Sequence, residues 1–172
     1  MTQPADDDRF SALGQLVERA AVMEIALRMT FCALVGGRYA AVVAAGQETH
    51  WLIESCDALA RQRHDIRPDR QDGIRAALQS CRDANRSRNR LVHDAWGTGP
   101  DGTPAVMQSI RHSYLVSGRQ WDAGQILAAA ADVAEAQHQL LTSVEEALGH
   151  QSLETAGQLL SAETRHGTNS PK

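Results

Sequence analysis

From Arg9 to Val35 apolar residues recur at intervals of three and four, and this commits the start of the chain to one long helix. Leu13, Leu16, Val17, Ala20, Met23, Leu27, Phe31 and Leu34 form the main stripe. Val22, Ile25, Met29 and Cys32 form a second row that widens it. A helix apolar over so much of its circumference needs neighbours on more than one side, so it is expected at the centre of a bundle or on a dimer face. Gly36-Gly37 supplies the stop.

The same reading continues along the chain. Residues 1–8 are polar and acidic and are expected to be a disordered lead. Arg38 to Ala45 is a short helical piece broken at Gly46. A second main helix is predicted from about Gln47 to Arg63, with Leu52, Ser55, Cys56 and Leu59 inward. Asp69 is expected to cap a third, from about Arg70 to Trp96, whose inward row is Ile74, Leu78, Cys81, Asn85, Arg88 and Val92. Residues 97–104, rich in Gly and Pro, form a loop. Weak alternation suggests a short β-hairpin from 105–111 and 114–120. Asp122 followed by Gln125 is a capping-box pattern that opens a fourth main helix, ended by Gly149. The expectation is an all-α fold: an up-and-down bundle of four main helices, with that hairpin inserted before the last. The domain covers 9–148, and 149–172 is a weakly ordered tail.

A chain of 172 residues can bury a core without disulfides or metals. Its three cysteines, Cys32, Cys56 and Cys81, show neither C-x-x-C spacing nor an even framework, so buried free thiols are expected. The first residues do not read as a signal peptide, and no apolar run reaches membrane-span length, which together predict a cytoplasmic protein. No metal-ligand spacing, phosphate loop or nucleotide fingerprint is present in the sequence, and no cofactor is expected.

The formal net charge is −4, which argues against a general nucleic-acid coat protein. Its distribution is uneven. Residues 61–90 hold nine Arg against Asp65, Asp69, Asp72 and Asp83, and the remainder is acidic. Such a segment either holds a polyanion locally or is a solvated charged face.

Within it lies the run Asn85-Arg86-Ser87-Arg88-Asn89-Arg90-Leu91-Val92-His93. Asn89 and His93 are four apart and share a helix face, with Asn85 before them and Trp96 after. Arg88 continues the apolar row, so the helix turns a guanidinium inward, where arginines are rare unless paired or functional. Arg88 and His93 are about 7.5 Å apart along the axis, a gap that long side chains can close around one phosphate.

The six residues Arg88-Asn89-Arg90-Leu91-Val92-His93 resemble the motif of the HEPN superfamily, helical proteins many of which are metal-independent ribonucleases. The likeness in organisation covers roughly 9–148, but its specific part is those six residues. It implies an endoribonuclease, a toxin or defence effector acting as a homodimer, with RNA as substrate and an antitoxin or regulatory protein as a further partner. The ribose 2′-hydroxyl would attack the adjacent phosphorus and leave a 2′,3′-cyclic phosphate. In that reading His93 is the general acid or base, Arg88 binds the scissile phosphate and Asn89 orients the histidine or the phosphate. Arg82, Arg86, Arg90 and Trp96 would bind RNA.

Each residue also has a plainer reading. His93 caps a helix end; Arg88 is a structural arginine paired with Glu24 or Glu54; Trp96 is a core aromatic; Arg82, Arg86 and Arg90 are solvated. The corresponding function is an HEPN-like module without catalysis that binds a nucleotide, RNA or a protein.

Overall fold

The computed structural model describes the backbone of residues 4–93, 95–98, 104–110, 113–117 and 121–167, and side chains over 8–92 and 121–162. Six helices carry the core: α1 (Pro4–Val35), α2 (Ala40–Ala44), α3 (Thr49–Gln62), α4 (Pro68–His93), α5 (Ala123–Leu148) and α6 (His150–Gly167). Three strands lie between α4 and α5: β1 (Ala95–Thr98), β2 (Pro104–Ile110) and β3 (Ser113–Ser117). No helix among the described residues is long and apolar enough to cross a membrane.

The main stripe of α1 packs as its spacing requires. Leu16, Met23, Leu27 and Leu34 are fully buried against α5 and α3. Burying a side chain of this size stabilises the fold by about 1.5–3 kcal/mol. The second row is less covered: Cys32 is buried and Met29 half-buried, but Val22 and Ile25 are exposed, as is Val17 of the main stripe. Gly36 ends α1 with a positive φ of 69°, its N–H bonded to Cys32 O at 2.9 Å. On α4, Ile74, Leu78 and Cys81 are buried, with Ala77, Ala84 and Leu91 beside them, against α5 and α3. Helices α1, α3, α4 and α5 thus share one core with α6, each of α1 and α4 touching both α3 and α5.

The capping box on α5 is complete. Asp122 accepts from the Gln125 N–H at 2.7 Å, and Gln125 Oε1 accepts from the Asp122 N–H at 3.2 Å. Gly149 ends the helix with φ of 83°, its N–H reaching Glu145 O.

Several boundaries differ from the sequence reading, each for a local reason. The expected lead is helical from Pro4, a residue that suits the first helical position. Asp69 does not cap α4. Pro68 opens that helix, and Asp69 sits in its first turn, accepting from Arg67 at 3.1 and 2.8 Å. Helix α4 stops at His93, and Trp96 lies in β1 opposite Val106 instead of on the helix face. Gly97 is a poor helix former, and Trp96 and Thr98 favour strands. Strand β1 joins β2 and β3 in an antiparallel sheet of order β1-β2-β3. Within the C-terminal segment read as weakly ordered lies α6, which buries Leu153 and Ala156 and packs on α1 and α5. The three cysteines are free and buried.

Candidate functional site

The basic segment is the first thing the structure resolves. Seven of the nine arginines between 61 and 90 are matched with acids: Arg61 and Arg75 with Asp57, Arg63 with Asp65, Arg67 with Asp69, Arg70 with Glu146, Arg82 with Glu54 and Arg86 with Asp83. Among the described residues the remaining two, Arg88 and Arg90, have no acid partner. Arg63 holds the Asp65 carboxyl below its usual range through a side-chain hydrogen bond, and Arg67 does the same to Asp69. Most of the local positive charge is therefore spent on fixing α3, α4 and their connector.

The predicted RNA-binding arginines separate accordingly. Arg82 donates from Nε and Nη2 to Glu54 Oε1 at 3.1 and 2.7 Å, across the α3–α4 seam. Arg86 lies 3.5 Å from Asp83 on the exposed side of α4. Arg90 is exposed. The side chains of His93 and Trp96 lie outside the described residues. The backbone of His93 is the last position of α4, one turn beyond Asn89.

Arg88 is the informative residue. It is half-buried, as its place on the apolar row requires. Neither expected carboxylate holds it, since Glu24 pairs with Arg28 and Glu54 with Arg82. Its Nη1 donates to Asn89 Oδ1 at 2.8 Å. Its Nε is buried with no hydrogen-bond partner among the described residues. A buried guanidinium N–H without an acceptor costs on the order of 1–3 kcal/mol, so this residue is held at a cost in stability.

Arg88 opens on a groove of about 470 Å³. One wall is α4, which contributes Asn85, Arg88 and Asn89. The facing wall is the end of the α2–α3 loop and the first turn of α3, from Gly46 to His50. Glu24 and Arg28 of α1 complete it. The volume suits a nucleotide-sized ligand. In formal charge Glu24 and Arg28 cancel, which leaves Arg88 against the exposed Glu48, beside neutral amides and an imidazole.

Sequence reasoning missed two members of this site. Arg28 donates to the Ala44 carbonyl and, at 3.1 Å, to the Gln47 carbonyl, while pairing with Glu24. It thereby ties the α2–α3 loop to α1. Glu24 also accepts from the Thr49 hydroxyl at 3.3 Å. His50, which in sequence is notable only for standing four residues before Glu54, faces the groove instead. It is exposed and has no hydrogen-bond partner among the described residues. No local pattern announces it, because its neighbours at Asn85 and Arg88 come from another helix.

Among the described residues no group of three or more His, Cys, Asp or Glu side chains is placed to hold a metal. No protein family, curated protein or solved structure matches the chain. The likeness to HEPN proteins therefore rests on the six-residue run alone.

Proposed function

We propose that the groove binds RNA and cleaves it by an HEPN-type mechanism. The observation that carries this reading is Arg88: a half-buried guanidinium with no acid partner among the described residues, opening on a polar groove of nucleotide size. Proteins seldom keep a charge in such a place without a counter-charge, and a phosphate would supply one. Asn85 and Asn89 add amide groups along the same wall. Arg88 would grip the scissile phosphate and stabilise its developing charge, and His93 would act as the acid or base. The attack of the 2′-hydroxyl then gives a 2′,3′-cyclic phosphate and a 5′-hydroxyl.

The test compares the purified protein with His93→Ala and Arg88→Ala on mixed RNA in excess chelator, with the chemistry of the new ends analysed. The expected result is cleavage by the wild type alone, with cyclic-phosphate ends. Equal cleavage by all three, or by none, overturns the nuclease reading.

One observation favours a second reading, a module that binds a nucleotide without cutting RNA. Glu24 and Glu48 lie on the groove, and seven arginines of the basic segment are already paired, so a long polyanion meets few open cations. Tight binding of a mononucleotide without RNA cleavage would select it.

A further inference from the structure

The nuclease reading leaves the wall opposite Arg88 without a role, and that wall presents a histidine. His50 stands in the first turn of α3 and lines the same groove as Asn85, Arg88 and Asn89. Buried structural histidines are normally engaged by a carboxylate or a carbonyl. His50 is exposed and has no such partner among the described residues. Glu54, the acid one turn along α3, is held by Arg82, and Glu24 is held by Arg28 and Thr49. The nearby acids are thus already occupied, except for Glu48 at the N-cap, whose side chain makes no capping bond. An imidazole left open in this way has a ring nitrogen available to a bound ligand.

We propose that His50 is the second acid–base group of this site, taking the proton from the ribose 2′-hydroxyl while Arg88 holds the phosphate. The inference rests on the nuclease reading and adds to it a group from a different helix. Cleavage by 2′-hydroxyl attack needs two proton transfers, one from the nucleophile and one to the leaving group. The 2′-hydroxyl proton passes to the His50 imidazole as the 2′ oxygen bonds to phosphorus. The bond from phosphorus to the 5′ oxygen breaks, and that oxygen takes a proton from His93. The diester keeps its single negative charge in the cyclic phosphate, and no further reactant is needed.

The test uses the full chain with His50→Gln, His50→Ala and His93→Ala. Two RNA substrates are compared, one ordinary and one with sulfur replacing the bridging 5′ oxygen at the cleavage site. Sulfur leaves without protonation, so it rescues the loss of a general acid but not of a general base. The expected result for both His50 variants is a fall in kcat of about 10²–10⁴ on both substrates, with KM changed by less than about threefold. His93→Ala regains most of its rate on the sulfur substrate. Rescue of the His50 variants by sulfur, or His50→Gln rates near wild type, overturns the inference and leaves the nuclease reading standing. Inactive wild type on both substrates overturns both. A melting curve for each variant identifies loss of fold, and His50→Gln replaces His50→Ala as the deciding variant if the latter unfolds.

Discussion

Arg88 donates its Nη1 hydrogen to the side-chain oxygen of its own neighbour, Asn89, at 2.8 Å. An amide oxygen in that place orients the guanidinium without cancelling its charge. A carboxylate there would form an ion pair and oppose an incoming phosphate. Asn89→Asp is therefore expected to lower RNA affinity at least about tenfold, or 1.4 kcal/mol, with the fold intact. Arg88→Ala is expected to abolish specific binding without lowering stability, because it removes a buried Nε–H that has no acceptor among the described residues. Fluorescence titration with a labelled oligonucleotide and a denaturant melt check both.

The pairing of seven arginines sets the salt dependence of binding. If only Arg88 and Arg90 reach phosphates, the logarithm of the binding constant for single-stranded RNA falls with the logarithm of salt concentration at a slope of about −1.4. Titrations at several salt concentrations give that slope directly. A value steeper than about −4 would mean that arginines now held by Asp57, Glu54 and Asp65 are released onto RNA.

Thr30 is completely buried in α1, and its hydroxyl has no hydrogen-bond partner among the described residues. Valine has nearly the same shape and carries no polar group to desolvate. Thr30→Val is expected to stabilise the protein by about 0.5–2 kcal/mol, read as a higher denaturant midpoint with an unchanged slope.

Burial pushes the Cys81 thiol from an ordinary value of 9.0 up to about 12, and it pushes Cys56 up as well, with Cys32 and Cys81 nearby adding to the effect. Below pH 9.0 these thiols are protonated in folded and unfolded chains alike, and the stability they lend is fully present. Above it the unfolded chain ionises while the folded one does not, so stability falls towards pH 12. Each thiol contributes about 1.4 kcal/mol per pH unit to that fall. Chemical denaturation in alkaline buffers measures it, and Cys81→Ala should flatten the slope while lowering stability at pH 7.

Much of the helical skeleton was legible because its signals are local. The Asp122–Gln125 box, the positive-φ glycines at 36 and 149, and the buried row Ile74, Leu78 and Cys81 all lie within a few residues of what they specify. Trp96 was misplaced because no breaker separates it from the α4 pattern until Gly97, and strand pairing with Val106 depends on a partner ten residues away. The same limit hid the site. Arg88 could be flagged as an inward charge, but that Glu24 and Glu54 are taken by Arg28 and Arg82 depends on contacts between helices. His50 owes its place to the α2–α3 loop, whose path no short-range pattern specifies.

The clasp made by Arg28 bears on how a ligand would be received. One guanidinium anchors the carbonyls of Ala44 and Gln47 to the carboxylate of Glu24. The rim that carries His50 is thereby pinned to the longest helix of the fold before anything arrives. A guest entering between the two walls finds its seat already shaped, and little of its binding energy goes into ordering the host.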